Sequence, residues 1–130
     1  MAAGQAPDRA WLLGSDSVSG GVVTLTGVTT GTSQPIDRSA HGILTIYLRS
    51  IGTTSGGTII IEEADWGPNE QPYSGTWSQI ASISASSFTG GAQFAQHITD
   101  SSYGWIRVRI SSAITGGGSI MASMRSRGAM

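Results

Sequence analysis

The chain has 130 residues, a formal net charge of −1 and no cysteine. That length corresponds to one domain and is enough to bury a core without disulfides. Charged residues make up only 12% of the chain, whereas a nucleic-acid binder of this size normally carries a strong basic excess, so we do not expect a nucleic-acid partner. We also see no secretory signal and no stretch long enough to span a membrane, so we expect no membrane association.

Residues 1–20 show no sustained hydrophobic period. We interpret them as an extended N-terminal arm that precedes a domain formed by residues 21–130. The arm carries one apolar cluster, Trp11, Leu12 and Leu13. Three large apolar side chains are not expected in a terminus that stays mobile in water. We therefore expect the cluster to dock, either on the chain's own domain or on a partner.

From Val22 onward, apolar and polar residues alternate with the period of β-strands. The clearest alternating segments are ILTIYLRSI, residues 43–51, and YGWIRVRIS, residues 103–111. TIIIEEA, residues 58–64, is apolar on both faces, which predicts a central strand. Ile80 and Ile83 are three residues apart, so they would lie on opposite faces of a regular strand. This spacing predicts a bulge or an early strand end.

No window of eleven residues fits helical spacing well, and the 19 glycines suit tight turns between short strands. Seven or eight short strands separated by turn signals are typical of an all-β fold. The sequence therefore predicts an antiparallel β-sandwich of the jelly-roll or Greek-key type.

Few residues could support catalysis. The only side chains that could act as bases near neutral pH are His41 and His97, and we expect both to be structural or surface residues. No nucleophile elbow or P-loop is present. Four acids lie close together at a strand end, in a spacing that matches no regular calcium loop: Glu62, Glu63, Asp65 and Glu70. We therefore predict no enzyme activity, no catalytic residue, no metal and no cofactor.

Opposite charges are segregated along the chain. The acidic segment just described contrasts with residues 101–130, which contain no acid and four arginines: Arg107, Arg109, Arg125 and Arg127. The two groups could pair across the sheet within one sandwich, meet on neighbouring copies, or face a large partner.

Three aromatic residues, Trp66, Tyr73 and Trp77, lie in or beside a loop rich in Gly and Pro. They could cap the open end of the sandwich, stack on sugars, or anchor a protein contact, where Trp, Tyr and Arg are over-represented. Together with the arm and the arginine strand they define a candidate partner interface: Trp11, Leu12, Leu13, Trp66, Tyr73, Trp105, Arg107 and Arg109.

Two segments, GTIIIEEADW at residues 57–66 and YGWIRVRISSAITGGGSIMASMRSRG at residues 103–128, resemble small β-sandwich proteins of tailed bacteriophage particles. Within that group the chain is most similar to capsid cement, or decoration, proteins. The resemblance implies a structural virion protein on the outer surface of the capsid. It also implies binding to the major capsid protein, stabilisation of the shell, and association as a dimer or trimer.

The alternative hypothesis is a carbohydrate- or receptor-binding β-sandwich module of a phage tail or fibre. It requires Trp66, Tyr73 or Trp77 to be exposed as a stacking platform.

Overall fold

The computed structural model describes residues 9–37, 41–65, 77–98 and 104–128. These ranges contain eleven strands: β1 Arg9–Leu13, β2 Ser15–Ser19, β3 Val22–Thr26, β4 Gly31–Thr32, β5 Ile36–Asp37, β6 His41–Ile51, β7 Gly56–Ala64, β8 Ser78–Ser84, β9 Gln93–Ile98, β10 Trp105–Thr115 and β11 Ser119–Gly128. A 3₁₀ turn, Ala85–Phe88, joins β8 to β9. Within the described ranges, no helix has the length and hydropathy needed to cross a membrane.

Two antiparallel sheets form the body of the domain. The front sheet has the strand order β1-β11-β6-β9, and the back sheet has the order β4-β10-β7-β8, with β5 also paired to β10. Strands that are distant in sequence lie side by side in both sheets, and this order is that of a jelly roll, which is built from two Greek keys. The predicted all-β, antiparallel sandwich is therefore confirmed.

The core lies between the two sheets and is built from the inward-facing members of each alternating strand. The front sheet contributes Leu44, Ile46, Leu48, Ile120, Ala122 and Met124, and the back sheet contributes Ile59, Ile61, Ile106, Val108 and Ile110. These are the positions at which the period of two places apolar residues. Burying apolar surface in this way contributes about 25 cal/mol per Å² removed from water.

Strand β7 lies between β10 and β8, as its apolar character on both faces predicts. Ile60 points away from the core and is nevertheless buried. The predicted irregularity in β8 is also present, because Ile61 pairs with Ala81 while the next residue, Glu62, pairs with Gln79. Ile80 is therefore the extra residue of a β-bulge.

The described part of the predicted arm docks on its own domain. Strand β1 pairs with β11 at the edge of the front sheet. Leu13 is buried in the core, and Leu12 packs partly against that core. Docking on the chain's own domain was one of the two outcomes expected for this cluster, and Leu13 takes part in it as a residue of the core.

Residues 15–26 form a separate two-stranded sheet, here called the valine hairpin. Its strands β2 and β3 are joined by Gly20 and Gly21, whose φ angles are 59° and 80°. Positive φ at both turn positions is what a two-residue hairpin turn of type I′ requires, and Gly adopts it without strain. Val18 and Val23 face each other across the hairpin. Together with Val22 they are 57–68% exposed.

Candidate functional site

The outward face of the front sheet carries a shallow cleft, whose shape follows from strand register. Residues that lie opposite one another on neighbouring strands form rows across the sheet. In one row, Trp11 lies opposite Ser123, and Ser123 lies opposite Tyr47. In the next row, Met121 lies opposite Arg49, which lies opposite Gln93. The cleft encloses about 200 Å³ and is lined by these six residues: Trp11, Tyr47, Arg49, Gln93, Met121 and Ser123. We call it the front cleft.

Met121 forms an apolar base for the front cleft. It points away from the core, yet only 1% of its surface is exposed. The chain turns between β1 and β2 at Gly14, whose φ is +75°. A Cβ at this glycine would lie 3.2 Å from Met121 Cγ and 2.5 Å from the Thr26 carbonyl oxygen. The positive φ and the close approach to the Thr26 carbonyl both favour glycine here, and any larger residue would also press on Met121.

Trp11 is held in place by the valine hairpin. Its indole Nε1 donates a 2.9 Å hydrogen bond to Asp16 Oδ1 on β2. A β-bulge explains why Trp11 faces outward although Leu13, two residues later, faces the core. The register with β11 shifts between them, so that Trp11 pairs with Ser123 and Leu13 with Ala122.

The front cleft combines aromatic surface with varied hydrogen-bonding groups. Trp11 and Tyr47 are half-buried, and Arg49 and Gln93 are exposed. A phenol, a hydroxyl and an amide can each donate and accept hydrogen bonds, whereas a guanidinium only donates. Arg49 forms no ion pair with any described side chain.

The row beyond Tyr47 contains Arg125, Thr45 and His97. Thr45 Oγ1 and His97 Nδ1 are hydrogen-bonded at 2.9 Å. The partner of this exposed imidazole is therefore a hydroxyl, which is not the arrangement of a histidine–carboxylate dyad. The side chain of His41 lies outside the described residues. Among the described side chains, no three histidines or acids are grouped so that they could hold a metal ion.

The outward face of the back sheet carries an ionic cluster. Glu62 on β7 lies opposite Arg107 on β10. Its Oε1 accepts hydrogen bonds from Arg107 Nε at 2.9 Å and Arg109 Nε at 3.1 Å, and its Oε2 accepts one from Arg109 Nη2 at 3.2 Å. The guanidinium of Arg107 also stacks on Trp77, 4.3 Å from the ring centroid. The predicted charge pairing across the sheet is therefore confirmed for these residues.

Two opposing effects set the protonation of Glu62. Burial acts to raise the pKa of its carboxyl, but hydrogen bonds from Arg109 and Arg107 and the charges of both guanidinium groups outweigh it, so the pKa lies below its usual value. The same contact raises the pKa of Arg109. Glu62 is therefore a structural carboxylate and is not poised to exchange protons near neutral pH.

The described outward-facing members of the predicted partner interface lie on two faces of the domain, and the interface stays a prediction. Trp11 lies on the front face, whereas Trp105, Arg107 and Arg109 point outward from β10 on the back face. Trp66 and Tyr73 lie outside the described residues.

Sequence reasoning missed the front cleft as a site. Alternation places Tyr47 and Arg49 on the solvent face, but it does not show that β11 and β9 lie on either side of them. The register of four strands distant in sequence is needed to bring Met121 and Gln93 beside these residues.

Comparison with solved structures gives a distant likeness in fold. No protein-family model matches the sequence. No curated protein matches it either. Among solved structures, a carbohydrate-binding module described as "CBM4 structure and function" aligns over 94% of this chain and 92% of its own. The TM-score is 0.34 and the sequence identity 11%. The function must therefore be inferred from the side chains of this chain, and the resemblance to capsid decoration proteins stays a prediction.

Proposed function

We propose that this protein is a non-catalytic binding module that holds a carbohydrate chain in the front cleft. The observation that carries the proposal is the placement of Trp11 and Tyr47 on either side of Ser123, with Arg49 and Gln93 in the adjoining row.

The chemistry of a sugar ring matches these groups. A pyranose presents a face of C–H groups, which packs on an aromatic ring, and a rim of hydroxyls, each of which donates and accepts hydrogen bonds. Tyr47 and Trp11 supply aromatic surface, and Ser123, Gln93 and Arg49 supply polar groups beside it. A few polar groups that fix orientation within an apolar setting are typical of small-molecule sites.

The cleft is also well placed and of suitable size. Its lining residues lie on β1, β6, β9 and β11, and strands hold side chains more precisely than loops do. Its volume of about 200 Å³ is below the roughly 300–1,000 Å³ of pockets for drug-sized ligands. It therefore suits a single ring of a longer chain that continues across the sheet.

A glycan array followed by calorimetry on its hits tests the proposal. We expect Tyr47→Ala to weaken binding by about tenfold, because loss of a central aromatic contact costs on the order of 1–2 kcal/mol. Ile80→Ala, at an exposed position of β8 on the other sheet, is the control and should leave the affinity unchanged. Absence of binding to every glycan, or equal affinities for Tyr47→Ala and the unaltered protein, would contradict the proposal.

The valine hairpin favours a second candidate function, the capsid decoration role that the resemblance implies. A two-stranded hairpin is at best marginally stable alone in water. Val18 and Val23 nevertheless expose adjacent apolar surface on it. Exposed apolar patches of this kind mark contact sites for other proteins, and the major capsid protein is the expected partner.

Co-sedimentation with capsid shells tests this second function. Deleting residues 1–20 is a poor test, because it would also remove β1 from the front sheet and Leu13 from the core. Val18→Ser combined with Val23→Ser changes only exposed positions. For a decoration protein, this variant should lose shell binding while Tyr47→Ala keeps it. The reverse outcome, in which only Tyr47→Ala impairs binding, would favour glycan recognition alone.

A further inference from the structure

We propose that the front cleft selects acidic sugars, specifically chains of uronic acid residues, and that Arg49 binds their carboxylate. This inference rests on the carbohydrate-binding function proposed above and adds the class of ligand.

The charge environment of Arg49 differs from that of the arginines on the back sheet. Arg107 and Arg109 share the carboxylate of Glu62. Arg49 is exposed on β6, lies between Met121 and Gln93, and forms no ion pair with a described side chain. The front cleft therefore has a guanidinium whose charge none of its other lining residues offsets.

One acid, Asp16, contacts a residue of the front cleft but does not itself line the cleft. Asp16 on the valine hairpin accepts the indole hydrogen bond of Trp11. None of the six residues that line the cleft is an acid. A ligand that brings its own carboxylate would thus meet a positive charge within the cleft and no lining carboxylate to repel it.

Strand geometry places the charge beside the stacking surface. Tyr47 and Arg49 are two residues apart on β6, so they project from the same face about 6.6 Å apart along the strand. A ring packed on Tyr47 would direct a substituent on its rim toward the guanidinium. Arginine and carboxylate pair through two parallel hydrogen bonds, which fixes orientation as well as adding affinity. The Gln93 amide, opposite Arg49, can donate to the same group.

Arg125 provides an internal control. It points to the same face but pairs with Thr45, four residues from Arg49 along β6. That separation is about 13 Å along the strand, and Arg125 is not one of the residues that line the front cleft. Arg49→Gln and Arg125→Gln therefore remove the same charge from the same face, and only the first removes it from the cleft.

Calorimetry with matched ligands tests the inference. The ligands are short oligomers of galacturonate, glucuronate and mannuronate, each compared with its methyl ester, which keeps the ring and removes the charge. At 0.15 M salt, we expect at least one of the uronate oligomers to bind tenfold or more tightly than its methyl ester. The reason is that hydrogen bonds to charged groups are about twice as strong as neutral ones. Arg49→Gln should reduce this preference to within about twofold, and Arg125→Gln should keep it.

The possible failures are distinguishable. If a methyl ester or another neutral glycan binds at least as tightly as all of the uronate oligomers, the inference is wrong while the carbohydrate-binding function stands. If no glycan of either kind binds, both are wrong. If Arg49→Gln and Arg125→Gln reduce the preference equally, the selectivity comes from the general charge of the protein, and the assignment to Arg49 is wrong. Thermal melts of both variants establish that each is folded.

Discussion

Replacing Glu62 with Gln tests whether the ionic cluster stabilises the back sheet. The carboxylate side chain is 6% exposed, whereas its partners Arg107 and Arg109 are 24% and 36% exposed. Removing one member of a buried pair costs about 3–5 kcal/mol, and exposed pairs contribute about 0–1 kcal/mol. Because both arginines keep access to water, we expect Glu62→Gln to lower the free energy of unfolding by about 1.5–3 kcal/mol.

Urea unfolding at pH 7 measures this loss, and the midpoint should fall by on the order of 1 M with an unchanged slope. A double-mutant cycle with Arg109→Gln isolates the pair, and the coupling free energy should exceed about 0.5 kcal/mol.

The pH dependence of the unfolding free energy tests the same contact independently. Folding lowers the pKa of Glu62, so its contribution to stability is fully present above the pKa of the unfolded chain. That contribution is lost as the pH falls through the lower pKa of the folded state. The difference in unfolding free energy between the unaltered protein and Glu62→Gln should therefore shrink on acidification. A variant within 0.5 kcal/mol of the unaltered protein at pH 7, or a difference that persists at acid pH, would refute this reasoning.

Three further substitutions probe the core and the turns, each followed by urea unfolding. Ile61→Ala removes a fully buried side chain at the centre of the core and should cost about 2–5 kcal/mol, whereas a loss below 1 kcal/mol would place it outside the core. Ser33→Ala removes the hydroxyl that accepts the Val108 backbone N–H at 2.9 Å and should cost about 1–3 kcal/mol by leaving that donor unpaired; an unchanged midpoint would contradict this. Gly14→Ala, at φ +75°, should cost more than about 1 kcal/mol and reduce glycan binding by displacing Met121 or Trp11.

Strict alternation made much of the fold predictable. In the central parts of β6, β10 and β11, residues 44–48, 106–110 and 120–124, every second residue is apolar and faces the core. The irregularity in β8 was predicted from the odd spacing of Ile80 and Ile83, and in the structure Ile80 is the extra, exposed residue of the bulge while Ile83 is buried.

The N-terminal region was harder to predict because its irregularities break that period. The bulge between Trp11 and Leu13 sends two residues of equal parity to opposite faces, so the apolar cluster could not be divided into core and surface from sequence. The valine hairpin did carry a signal. Gly20 and Gly21 between two five-residue segments suit a two-residue hairpin turn, but the polar character of residues 15–19 favoured an arm.

Closure of the front cleft depends on the two most distant parts of the described chain. Residues 9–13 supply Trp11, and they pair with residues 122–125 of β11. During synthesis, β1 therefore cannot pair in the front sheet until β11 has been made. Contacts of such long sequence separation slow folding because loop closure must precede them. Protection of the β1 amides from hydrogen exchange should consequently appear late during refolding, when β1 pairs with β11.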